Sequence, residues 1–349
     1  MTIRVGIAGY GVVGKRRGES IEANPDMELT AVSDIRYTGD GTTRDGTPYH
    51  RTYEGLFKHN LDALFVSLPN YLASEATIAG LQHGLHVFCE KPPGRTIDET
   101  KAVIAEEAKH PHLKLKYGFN HRYHKSVKEA KRIIDSGEMG EVLNLRGIYG
   151  KSRIIPFEGG WRSERDQAGG GILLDQGIHM LDLVRFFAGD FDEIHSFVSN
   201  DFWHHEVEDN AYALMRSAKG PIAMVHSSAT QWRHRFRLEV TMREGLIELT
   251  GILSGSKSYG EERLLVAHRD EDRDTGSYRE EIALYLEDNS WQDEVDEFAN
   301  LILHDQPVTN GSSRDALAVM EMIYRVYNAD PQWRETIMAR PLGRPDTSR

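Results

Sequence analysis

IRVGIAGYGVVG, residues 3–14, passes from an apolar run into a glycine turn and out into a helical pattern. Ile3 to Ala8 has the unbroken apolar character of a strand buried on both faces, and Val12 to Ala23 reads as the helix behind it. Gly9, Gly11 and Gly14 stand at the G-x-G-x-x-G spacing. Glycine there permits a tight turn and close backbone approach, and the N–H groups at the helix start, around Val12 and Val13, face an anion. Asp34 lies twenty positions beyond Gly14, at the end of a second apolar segment, Glu28 to Asp34. A carboxylate at that distance meets the adenosine ribose of a dinucleotide. The plain alternative is a glycine turn with a capping Asp. Asp34 favours NAD, because a carboxylate repels a 2′-phosphate. Arg36 is the kind of side chain that accepts one, which keeps NADP open.

The same alternation continues outward from this turn. Leu61 to Leu68, Leu85 to Glu90 and Leu113 to Gly118 read as further buried strands, with helices from about Leu72 to His83 and Ile97 to Lys109 between them. Apolar strands separated by amphipathic helices predict a doubly wound, parallel α/β domain over residues 1–121. Beyond it the pattern changes. A helix (Ser126 to Asp135), a strand (Glu141 to Tyr149) and a helix from about Ile172 to Ala188 precede clustered strands at Ile194 to Asn200, Asn210 to Arg216, Ile222 to Ala229, Phe236 to Met242 and Leu246 to Leu249. Helices Ser290 to Leu303 and Ser313 to Tyr327 follow. Residues 122–349 are therefore expected to form an α+β domain with an open, largely antiparallel sheet, the last helices packing back toward the first domain.

A length of 349 residues suits two domains. The net charge of −12 lacks the basic clustering of a nucleic-acid footprint. No apolar run approaches the roughly 20 residues of a membrane span. The chain opens directly into a strand with no basic and then apolar leader, and its lone cysteine, Cys89, fits a reducing compartment. A cytoplasmic protein with a small-molecule ligand is expected.

Two further stretches carry chemistry. In FCEKPPG, residues 88–94, an apolar strand ends in Glu90 and Lys91 before two prolines, so the lysine is either a solvated strand end or aimed at something. In GGGILLDQGIHMLDL, residues 169–183, Asp175, His179 and Asp182 recur at i, i+4 and i+7, one face of a helix. Gly177 on that face is a poor helix former unless something approaches it, and the three leading glycines would let a substrate near the backbone. A water-facing helix and a metal site are the competing readings; no further ligand set at matching spacing supports the metal.

Taken together, GYGVVG, EKPPG and the D-x-x-x-H helix resemble the glucose–fructose oxidoreductase, inositol dehydrogenase and MocA family over nearly the whole chain. The resemblance implies NAD(P)-dependent hydride transfer at a secondary hydroxyl of a sugar. It places Lys91 on the reacting hydroxyl, with a cis peptide before Pro92 turning it into the cleft, and makes Asp175 and His179 the pair on the substrate helix. It sets Pro69, Asn70, Glu90 and Lys91 beside the cofactor, and Asn120, Arg122, Trp161 and Arg162 beside the substrate. Ala73 stands where the family often has His. It also implies a homodimer or homotetramer.

Chemically, the hydroxyl needs a base within hydrogen-bond reach. Neutral His179 is assigned the proton, Asp175 the orientation of its ring, and Lys91 the developing alkoxide. Arg122, Arg162, Arg165 and Lys151 could face a diphosphate, so a nucleotide-linked or anionic sugar is expected. A free sugar or inositol is the alternative. A redox-neutral, NAD-dependent glycosidase and a non-catalytic cofactor-binding regulator are rival classes, and the presence of Lys91 and His179 speaks against the last.

Overall fold

A computed structural model describes residues 2–153, 160–254, 259–269 and 278–343. Its first sheet is built on β1 (Ile3–Ala8), β2 (Met27–Ser33), the short strands β3 (Gly41–Thr42) and β4 (Pro48–His50), β5 (Ala63–Val66), β6 (His86–Glu90) and β7 (Leu115–Gly118). Their order is β3-β4-β2-β1-β5-β6-β7, and every pairing except β3 with β4 is parallel. The helices α1 (Val12–Ala23), α2 (Asn70–Gln82) and α3 (Ile97–Glu107) make the crossovers. Strand order reverses between β1 and β5, and a ligand crevice opens beyond the carboxyl ends of strands at such a point. Gly9, Asp34 and Lys91 all follow directly on carboxyl ends of these strands.

The second sheet holds β8 (Val142–Ser152), β9 (Glu193–Ser199), β10 (Asn210–Arg216), β11 (Ile222–Gln231), β12 (Arg235–Met242), β13 (Gly245–Thr250), β14 (Glu262–Arg269) and β15 (Tyr278–Tyr285). The order is β15-β14-β13-β12-β8-β11-β10-β9, antiparallel apart from the pairing of β8 with β11. The helices α4 (Lys125–Ser136), the short α5 (Arg165–Ala168), α6 (Ile178–Ala188), α7 (Ser290–Leu303) and α8 (Ser313–Ala329) complete the chain's main elements. Along β10 exposure alternates strictly, so Ala211, Ala213 and Met215 enter the core while Tyr212 and Leu214 face outward, joined by Ile222, Met224 and Phe197. Strands β14 and β15 have no counterpart in the sequence reading. Around them the chain is strongly charged, and the exposed β15 has too little apolar alternation to signal a strand.

The expected Ile172–Ala188 helix is interrupted: Leu173–Gly177 is a π turn, and regular helix starts only at Ile178. The glycines around it serve the protein's own packing, not a substrate. A side chain on Gly171 would run into the Glu208 backbone, and one on Gly177 into Ser227. Glu208, fully buried, accepts hydrogen bonds from the Gly171 and Leu173 N–H groups and from the Tyr327 hydroxyl, which anchors the helix start to the sheet and to α8.

Helix α7 packs on α1 through one buried cation. The Arg17 guanidinium donates to Glu90 Oε1 at 2.7 Å and to Glu294 Oε2 at 2.6 Å. It sits between the rings of Phe88 and Trp291, 4.4 and 4.3 Å from their centroids. Burial pushes the Glu294 carboxyl up to about 7 against the pull of Arg17 and Lys116. Glu90, the residue before the motif lysine, is thereby held from the C-terminal part of the chain.

Candidate active site

A cleft of about 740 Å³ runs from the glycine turn to the start of α6. At one end Gly9, Gly11, Val12, Val13, Asp34, Pro69, Asn70 and Glu90 line it, and at the other Lys91, Asn120, Trp161, Arg162, Asp175 and His179. The two expected ends thus share one cavity.

The first end is shaped by backbone. Gly9 has φ +90°, and a side chain there would strike the Ser67 carbonyl; one on Gly14 would strike the Gly9 carbonyl. Gly11, in contrast, has open space where a side chain would go. That is the cradle a pyrophosphate needs at the start of α1, whose N-cap, Gly11, brings no side chain of its own. Arg36 does not line the cleft: its Nε and Nη2 donate to the two oxygens of Asp34 at 2.6 and 2.9 Å, and Nη2 also reaches the Tyr10 carbonyl. Burial works to raise Asp34, but the Arg36 hydrogen bonds outweigh it and hold the carboxyl below its usual range.

At the second end the Lys91–Pro92 bond is cis. Lys91 Nζ donates to the Asp175 carbonyl oxygen and lies 3.6 Å from its carboxylate. Arg162 Nε is 3.9 Å from the same carboxylate, and its guanidinium stacks 4.3 Å above Trp161. Burial works to raise Asp175, and Lys91, Arg162 and Lys151 together bring it below the usual carboxylate range. The cluster is a lysine held against an ionised acid.

His179 differs from the expectation. Its Nδ1 is enclosed with no hydrogen-bond partner, and no hydrogen bond joins it to Asp175 among the described residues. Asp175 lies in the π turn and His179 in the regular helix that follows it. Asp175 therefore orients Lys91 and not the imidazole. The ring lies instead on the imidazole of His121, centroids 3.8 Å apart and planes 13° off parallel. Burial first, then His121, Lys91 and His124, holds His179 well below the ordinary histidine range.

Arg122 is a second correction. It is buried and absent from the cleft, with Nε and Nη2 on Asp182 at 2.8 and 2.5 Å and Nη1 on Asp315 at 3.3 Å. Asp182, the third member of the expected polar face, is spent on this pair. Arg165 is also largely buried and donates to the Arg340 carbonyl. Arg162 alone of the expected arginines lines the cleft. Sequence reasoning passed over His121, Tyr149, Tyr259 and Trp291, which line it too. His121 lies between two residues it singled out, Asn120 and Arg122; the others come from distant segments with no local signal.

Comparisons with known proteins bear on the family and the fold. The family model described as "Oxidoreductase family, NAD-binding Rossmann fold" matches residues 3–119, and the GFO/IDH/MocA C-terminal domain model matches residues 127–248. Levoglucosan dehydrogenase of Pseudarthrobacter phenanthrenivorans is 30% identical over 207 residues, 57% of this chain and 50% of that protein. Myo-inositol 2-dehydrogenase of Thermotoga maritima is 26% identical over 300 residues, 81% and 87% of the two chains. The match with levoglucosan dehydrogenase thus spans about half the length of that relative. A solved levoglucosan dehydrogenase complex with NADH superposes with a TM-score of 0.82 at 20% identity, covering 95% of this chain and 98% of the other. UDP-N-acetylglucosamine 3-dehydrogenase from Acidithiobacillus ferrooxidans gives 0.76 at 18%, covering 95% and 99%. These two likenesses speak to the fold.

Proposed function

The chain belongs to the glucose–fructose oxidoreductase, inositol dehydrogenase and MocA family, and from that premise we propose that it moves a hydride between nicotinamide and a secondary hydroxyl of a sugar or cyclitol. One observation carries the reading: Lys91 and His179 line the same cavity as the glycine turn and Asp34. Residues 1–121 would hold the cofactor and 122–349 the substrate. NAD is the expected form, since Arg36 is engaged by Asp34 and a carboxylate faces the ribose position.

With the cofactor's pyrophosphate held against Gly9, Gly11, Val12 and Val13, its nicotinamide would supply the hydride acceptor or donor. The rest is the work of the chain. Lys91, placed by Asp175, presents its ammonium to the substrate oxygen and stabilises the alkoxide as the proton leaves. His179 takes that proton. Burial, then His121 and Lys91, lowers its pKa, which favours the neutral form that can accept a proton. With Nδ1 enclosed, Nε2 is the atom that acts. Trp161 and Arg162 flank the substrate, and Arg162 is the side chain that would receive an anionic or nucleotide-linked substituent. That preference now rests on Arg162, because Arg122 and Arg165 are engaged elsewhere.

The relatives named for levoglucosan and myo-inositol make uncharged polyols the first substrates to offer, beside sugar phosphates and nucleotide sugars. The test is the absorbance of reduced nicotinamide with NAD or NADP across that panel. A rise with any secondary alcohol supports the oxidoreductase; cofactor binding with silence across the panel, and release of free sugar from a glycoside, would replace it by a redox-neutral glycosidase. We also place a homo-oligomer contact on the outward face of the second sheet, at Tyr212, Leu214 and Met224, which light scattering would check.

A further inference from the structure

A histidine that takes a proton is ordinarily oriented by a hydrogen bond at its other ring nitrogen, which also selects the tautomer. His179 has no such bond; its Nδ1 is buried and unpartnered. Yet the residue is only 5% exposed, and the flat surface against its ring is His121. His121 is itself fixed at both nitrogens, Nδ1 3.2 Å from Asn120 Oδ1 and Nε2 3.1 Å from the Tyr149 hydroxyl. Tyr149 packs edge-on against Tyr259, whose hydroxyl donates to Gln176 in the π turn at 2.7 Å. The chain of contacts therefore starts beside His179, passes through the second sheet and returns to the turn that carries Asp175.

We propose that His121 is the positioning residue for His179, doing by stacking what a carboxylate does elsewhere by hydrogen bonding, and forbidding the pair to be doubly protonated. This rests on His179 being the proton acceptor. Two parallel imidazoles 3.8 Å apart are stable when both are neutral or one is charged, and repel when both are charged. The other titratable groups facing His179 are Lys91 from the end of β6, His124 beyond His121, Tyr149 from β8 and Asp175 from the π turn. Lys91 and His124 also oppose a positive His179, while His124 is tied to Glu262 at 2.7 Å. His121 is the one that touches the ring face and the one a flat, non-titrating side chain can replace.

The test is a histidine-selective proton–nitrogen correlation spectrum of the full chain followed over pH, for wild type, His121→Phe and His121→Ala, with kcat and KM measured beside it. In wild type the His179 signal titrates well below the ordinary histidine range. In His121→Phe, which keeps a stacked ring and removes its charge, it moves upward, and the acid limb of kcat/KM moves with it. In His121→Ala, kcat falls by up to about 100-fold while KM and NADH affinity hold, because a base displaced by about 1 Å loses that much. An unmoved His179 titration in His121→Phe with wild-type kcat in His121→Ala would overturn the proposal. Should His121→Ala fail to fold, His121→Phe decides on its own. A wild type that oxidises nothing would sink the oxidoreductase reading, while the spectrum still tests the stacked pair.

Discussion

The two ends of the cleft are built from different material. At the cofactor end the phosphate cradle is backbone: a left-handed Gly9, a Gly14 packed onto the Gly9 carbonyl, and helix N–H groups with open space at Gly11. At the substrate end they are side chains from segments far apart in the chain: Lys91, His121, Tyr149, Asp175, His179 and Tyr259. The turn tolerates no added atom at Gly9 or Gly14 and carries no titrating group of its own, though Asp34 and Glu90 stand beside it. Side-chain walls tolerate substitution sterically and lose chemistry instead. Damage at the first end should therefore register in folding and cofactor affinity, and damage at the second in turnover and its pH dependence.

The largest effect is expected at Gly14. Gly14→Ala drives a methyl into the Gly9 carbonyl and should abolish NADH binding and lower Tm. Gly11→Ala meets nothing within the protein, so its Tm should match wild type while NADH fluorescence titration shows weakened binding. Equal behaviour of the two would break the contrast between wall and cradle. Next come the chemical groups. His179→Ala should lower kcat by about 10²–10⁴-fold and Lys91→Met by about 10²–10³-fold, each with NADH affinity near wild type.

The two arginines expected at the substrate end, one in the cleft and one not, sharpen the comparison. Arg122→Met leaves Asp182 charged and buried without a partner, a loss of about 3–5 kcal/mol readable by urea unfolding. Arg162→Ala, at a half-exposed side chain, should leave Tm alone and raise KM for anionic substrates only. The smallest effect is on pH stability. His121 and His179 have folded pKa values depressed chiefly by burial, then by His124 and Lys91 at His121 and by His121 and Lys91 at His179, so their contribution is present above about 6.5, the unfolded value, and is lost as pH falls through the folded values. Urea midpoints should decline on acidification below that point, and less steeply in His121→Phe.

How much was legible beforehand follows the same division. The parallel domain, its glycine turn and Asp34 could be read directly, because a fixed turn geometry dictates residue type at fixed spacing. Lys91, Asp175 and His179 could be named from their motifs, but their mutual roles could not. Asp175 meets Lys91 and makes no hydrogen bond to His179 among the described residues, and nothing in local spacing announces either fact. Arg122 illustrates the other limit: an arginine beside a cleft motif looks like a ligand contact until the tertiary fold brings Asp182 and Asp315 against it. The glycines at 169–171 looked like substrate access and turned out to be packing against Arg95, Tyr327 and Glu208. Strand β15 escaped because a charged, exposed edge strand carries little apolar alternation.

The central claim is that His179 and the glycine turn serve one reaction. Its most direct test is single-turnover formation of reduced nicotinamide at saturating NAD with the best alcohol of the panel, wild type against His179→Ala. The account predicts a rate lower by about 10²–10⁴-fold with NAD affinity retained; a wild-type rate in His179→Ala would contradict it.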